Sequence, residues 1–184
     1  IPRTEDINKK GSASKATPLC KSIVGGNVDV VAVLVEGGAC VHEGNANGNT
    51  ALHLASMSGL TENVALLLEN GANLNMKNME GWTSIMWASS EGHTETMSIL
   101  LDKGANVNDK KNDGVSSIIS ASYGGYINAV KLLLDKGADV NAKWKTSMTV
   151  AGLDTGIAFW HYLRMSDMNA AGEVTTVYRY VDWL

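Results

Sequence analysis

Thr50-Ala-Leu-His-Leu-Ala-Ser56 has three counterparts along the chain, and their spacing decides the fold. Thr17-Pro-Leu-Cys-Lys-Ser-Ile23, Thr83-Ser-Ile-Met-Trp-Ala-Ser89 and Ser116-Ser-Ile-Ile-Ser-Ala-Ser122 join it in a ladder whose successive starts lie 33 residues apart. A second block keeps the same phase: Leu34-Val-Glu-Gly-Gly-Ala39, Leu67-Leu-Glu-Asn-Gly-Ala72, Leu100-Leu-Asp-Lys-Gly-Ala105 and Leu133-Leu-Asp-Lys-Gly-Ala138. Two independent blocks in one register exclude coincidence. Self-similarity at a period of a few tens of residues is the mark of a stacked array, in which no single unit buries its own apolar face.

One unit can be built from its residues. Thr17, Thr50, Thr83 and Ser116 stand where a side-chain oxygen caps a helix start, and Pro18 follows at a position where a missing N–H costs little. The first helix is short and ends at Gly26, Gly59, Gly92 or Gly125, each predicted to take a positive φ. A longer second helix carries a broad apolar set, for example Met97, Ile99, Leu100 and Leu101, and stops at Gly38, Gly71, Gly104 or Gly137. Ala55, Ala88 and Ala121 let first helices approach closely. Polar connectors, each with one apolar anchor (Val41, Leu74, Val107, Val140), turn at Gly48, Gly81 and Gly114. Of 19 glycines, eleven fall in these three columns, so the glycine surplus marks chain reversals.

The pattern resembles the ankyrin repeat. Gly48-Asn-Thr-Ala-Leu-His-Leu-Ala55 and Leu133-Leu-Asp-Lys-Gly-Ala-Asp-Val-Asn141 match its motif most closely. The resemblance covers residues 17–148 and implies an all-α solenoid of stacked helix-turn-helix units with β-turn connectors. The units divide as 17–49, 50–82, 83–115 and 116–148.

Both ends depart from the period. Asp6-Ile-Asn8 is similar to the closing Asp139-Val-Asn141, shifted by one residue, so residues 1–16 read as the remnant of a preceding unit or as a disordered arm. Beyond Thr149 the pattern is lost: Asp154 falls in the buried alanine column, Ala158 in the glycine column, and Ser166 and Asp167 in the two-leucine positions. An unpaired carboxylate in that core would cost several kcal/mol. Residues 149–184 therefore read as a divergent C-terminal tail, a cap or an appendage.

Charge and cysteines exclude whole classes of function. Residues 1–27 carry five bases and two acids, whereas residues 28–143 carry seven bases and thirteen acids, a balance of −6. An acidic body lacks the basic footprint that nucleic acid or an anionic membrane surface requires. The longest apolar run, Val30–Val35, is too short to span a bilayer, so no membrane insertion is expected. Cys20 and Cys40 form no metal-type pair. A cytoplasmic or nuclear setting fits.

No catalytic constellation, cofactor motif or metal motif occurs, so the chain is not expected to be an enzyme. His53 occupies a column that holds Cys20, Met86 and Ile119 in the other units, which suits a local hydrogen-bond bracket between neighbours better than a reactive site. The ankyrin resemblance implies instead a protein partner held on a concave face made by connector tips and first helices. Carried over position by position, that face comprises Asn49, Met57, Met79, Glu80, Trp82, Glu91, Asp113, Val115 and Tyr123. Methionine and large aromatics are unusual on a surface and common in binding hot spots. Two readings of Trp82 remain, partner contact or packing on the neighbouring connector. Trp87 favours packing, and Trp144 holds the connector column of Asn45 and Asn78. Uncapped ends would promote self-association. The expected function is a non-catalytic scaffold or adaptor; the alternative is a targeting or regulatory segment of a larger enzyme or channel.

Overall fold

A computed structural model describes residues 7–11 and 15–142. Trp144, Asp154, Ala158, Ser166, Asp167 and the rest of the tail, together with residues 1–6 of the N-terminal remnant, lie outside the described residues. Eight helices are described from end to end: α1 (Pro18–Gly25), α2 (Val28–Glu36), α3 (Ala51–Met57), α4 (Thr61–Glu69), α5 (Ser84–Ser90), α6 (Thr94–Asp102), α7 (Ser117–Tyr123) and α8 (Ile127–Asp135). They form four antiparallel pairs. First helices α1, α3, α5 and α7 pack on one another in series, and second helices α2, α4, α6 and α8 do the same behind them.

The core repeats with the sequence. Leu19, Leu52, Ile85 and Ile118 fill one column, and Val31, Val64, Met97 and Val130 another, all buried. Ala55, Ala88 and Ala121 are fully buried where larger side chains would push the first helices apart. All eleven glycines of the three columns have positive φ, between 66° and 94°. At Gly59 and Gly92 there is a further constraint. An added Cβ would lie 2.6 Å from the ring of His93 at Gly59, and 2.4 Å from the ring of Tyr126 at Gly92. α6 and α8 thus begin by laying a side chain over the glycine of the preceding unit.

The expected caps form in half of the cases. Thr17 accepts from the Cys20 N–H, and Thr50 forms a reciprocal box with His53. Thr83 and Ser116 make no side-chain cap bond, and their hydroxyls are buried without a hydrogen-bond partner. Where His53 returns a bond to its cap, Met86 and Ile119 have no polar atom to do so, and reciprocity is lost.

The connectors stack as well. Asn45 N–H to Asn49 O, Asn78 N–H to Trp82 O and Lys111 N–H to Val115 O close the same tight turn three times. Neighbouring tips are joined by Met79 N–H to Asn47 O and Asn112 N–H to Glu80 O, both 3.1 Å. The Asn78 amide adds a 2.7 Å bond to Asn49 Oδ1. Side chains on the connectors are therefore held at fixed offsets from those on the first helices.

Candidate protein-binding face

His53 shows how the connectors are held. The Thr50 N–H donates to His53 Nδ1 at 3.1 Å, so Nδ1 is the acceptor and Nε2 carries the proton. Nε2–H then reaches two carbonyls of the next connector, Met76 O and Trp82 O, each at 3.0 Å. Burial lowers the His53 pKa; the two carbonyls oppose that shift but do not reverse it. Cys20 does the same job one unit earlier, with Sγ 3.5 Å from Glu43 O and 3.8 Å from Asn49 O. Burial pushes its thiol pKa up, against the hydrogen bonds from Thr17. Both groups tie the first helix of a unit to the connector that leads to the next, a bracket within the unit where a link between neighbouring units was expected.

The bracket places Trp82 beside α5. Its ring stacks on Trp87 with centroids 4.2 Å apart and planes 14° from parallel. Lys111 Nζ lies 4.7 Å from the Trp82 ring centroid, a cation–π distance. The Trp82 indole N–H donates to Glu80 Oε2 at 3.1 Å, and Lys111 is also paired with Asp113 Oδ2 at 2.9 Å. Trp82 and Trp87 are both half-buried. Trp82 therefore packs on Trp87 and Lys111 while part of its indole remains exposed.

The remaining positions separate into two groups. Met79 is 72% exposed and Tyr123 is 65% exposed, while Met57 is half-buried and Glu80, Glu91 and Asp113 are exposed. Asn49 and Val115 are buried, which corrects their place in the accessible set. Asn49 is engaged by the Asn78 amide, and Val115, which stands in the Trp82 column, is 8% exposed. Asp113 has a structural task too, since its Oδ1 accepts from the Val115 N–H at 3.1 Å. In units one and two an asparagine (Asn45, Asn78) does this from the start of the turn.

Trp87 packs as its position in the sequence suggests, through its stack on Trp82, whereas Lys111, seated on the same ring, is a neighbour that the sequence reading does not name. The signal for Lys111 was available: it replaces the turn-forming asparagine of its column, which frees the position to carry a charge. Among the described residues no group of three His, Cys, Asp or Glu side chains is arranged to hold a metal ion. Nor is any described helix long and apolar enough to cross a membrane.

The chain belongs to the ankyrin-repeat family, whose three-copy unit matches residues 3–78 and 71–143. Ankyrin repeats generally mediate protein–protein interaction. A different similarity covers a short stretch. Over 44 residues the chain is 64% identical to a blue-light absorbing proteorhodopsin of Gamma-proteobacterium Hot 75m4. Over the same length it is 61% identical to a green-light absorbing proteorhodopsin of Gamma-proteobacterium EBAC31A08. Each match covers 23% of this chain and 18% of the relative, so the chain spans under a fifth of those proteins.

Proposed function

We propose that this array is a non-catalytic interaction module, a scaffold or adaptor that holds a protein partner on the surface centred on Trp82. The observation that carries the proposal is the stacked Trp82–Trp87 pair, half-buried between a connector and α5, with Met79 and Tyr123 exposed elsewhere among the candidate positions. A preorganised aromatic surface binds without the entropy cost of ordering its side chains. Glu80, Glu91 and Asp113 outnumber Lys111 around it, which suits a partner with basic side chains and an apolar anchor. His53 and Cys20, the buried histidine and cysteine among the described residues, are occupied by carbonyls, and this supports a role without catalysis. A cytoplasmic or nuclear setting is part of the same proposal.

The test is affinity capture with the wild-type chain and with a Trp82→Ala, Tyr123→Ala double variant. Loss of proteins from the captured set, with the melting curve retained, supports the face. An unchanged set removes it.

The proteorhodopsin similarity favours a second reading, in which the array is a targeting or regulatory segment of a larger protein. A 44-residue match lying inside the array would exceed one 33-residue unit and so carry ankyrin columns. We assign it instead to the off-pattern end, where seven of the eleven aromatic residues fall after Lys143. Amplification across the Ala142 codon from source DNA tests this reading. A single continuous reading frame supports it, and failure to recover one overturns it.

A further inference from the structure

In α4, α6 and α8 the residue three positions into the helix is buried: Asn63 at 2%, Thr96 at 1% and Ala129 at 0% exposure. Two of these reach the preceding unit directly. The Asn63 amide donates to Gly26 O at 3.4 Å, and Thr96 Oγ1 shares a 3.0 Å hydrogen bond with Thr61 Oγ1. This column is therefore the seat of the unit before. In α2 the same column holds Val30, which is 47% exposed. One turn on, Leu66, Ile99 and Leu132 pack against the core, whereas the matching Val33 is 67% exposed. The first pair thus offers an apolar face where the other three pairs are covered.

The chain supplies the trace of what covers it. Asn75 Oδ1 accepts from the Asn106 N–H at 3.4 Å, and Asn108 Oδ1 from the Asp139 N–H at 2.8 Å, each tying the closing turn of one unit to the next. Asn8 Oδ1 accepts from the Cys40 N–H at 2.7 Å, and Cys40 stands in the column of Asn106 and Asp139. Ile7 packs against the core as Leu74 and Val107 do. Residues 7 and 8 perform the closing task of a unit that sits ahead of α1.

We infer that the Val30–Val33 face is the seat of the helix pair of one further ankyrin unit, carried in the same polypeptide ahead of Ile7. A covalently attached unit is favoured over a second copy because its last turn already sits on the array through Asn8 and Ile7. The inference is independent of the Trp82 face.

The test has two arms. The spacing of Ser116 to Asn141, applied backward from Asn8, places a Ser or Thr helix cap about 18 residues ahead of Ile1 in the source reading frame. A frame without such a helix pair overturns the inference. In the chain that includes it, Val30→Asp raises the unfolding equilibrium constant at least ~tenfold, because a carboxylate is then buried unpaired. In the 184-residue chain the same change leaves the urea midpoint unaltered, and Val30→Thr, matching Thr96, is tolerated in both. Equal sensitivity in the two chains contradicts the inference. So does a dimer of the shorter chain that Val30→Asp dissolves, since that result assigns the face to a second copy.

Discussion

Replacing His53 with methionine isolates the bracket that ties the first helix of the second unit to the connector leading to the third. Methionine is close in volume, and Met86 occupies the same column at 1% exposure, so the site accepts the shape. The change removes the donor to Met76 O and the acceptor for the buried Thr50 N–H, while Trp82 O keeps its bond from the Asn78 N–H. Each newly unpartnered group costs about 1–3 kcal/mol, so a loss of roughly 2–6 kcal/mol is expected for the two at pH 7.5 by urea unfolding. The pH dependence then checks the cause. The folded-state pKa of His53 is lowered, so its contribution is fully present above the ordinary histidine range. It is lost as pH falls below about 6.5 toward the folded value, because the unfolded chain binds the proton more readily. The stability gap between wild type and His53→Met should therefore narrow between pH 7.5 and 5. A loss below about 1 kcal/mol at pH 7.5, or a gap that does not change with pH, refutes the reasoning.

Further expectations concern the glycine columns and the caps. Gly59→Ala faces both a φ of +66° and the His93 ring, whereas Gly71→Ala has a φ of +81° and nothing within 4 Å. Gly71→Ala should cost about 1–2 kcal/mol and Gly59→Ala at least about 1 kcal/mol more, measured by denaturant midpoint. Thr17→Ala removes a working cap and should destabilise by about 1 kcal/mol. Thr83→Val removes a buried hydroxyl that has no partner, so it should be neutral or stabilising by up to about 1 kcal/mol in a thermal melt.

The fold was legible because a solenoid writes the same physical requirement once per unit. Glycine at a positive-φ stop, alanine at a close approach and leucine in the core are each demanded by backbone or volume, and each demand recurs. The hydrogen-bonding role of His53 could be read for the same reason, and Cys20, in the same column, reaches the equivalent carbonyls. The face was only partly legible. Asn49 and Val115 share a column with Trp82, yet side-chain size and connector stacking decide which of them reaches the surface. The Trp82–Trp87 stack joins a connector to a helix, and the period alone does not show how the two rings meet. Thr83 and Ser116 look like the caps Thr17 and Thr50 in sequence, but hydroxyl rotation and the residue three positions on determine whether a bond forms.

The central claim is that the Trp82 surface, held rigid by the connectors, is where a protein partner binds. The most direct measurement is calorimetric titration of the most abundant captured partner into wild type, Trp82→Ala and Glu95→Ala, the last being an exposed site on α6 away from the stack. Loss of a central aromatic anchor should weaken Kd by at least about tenfold in Trp82→Ala, with Glu95→Ala unchanged. Equal affinity for all three chains, with each folded by circular dichroism, would contradict the account.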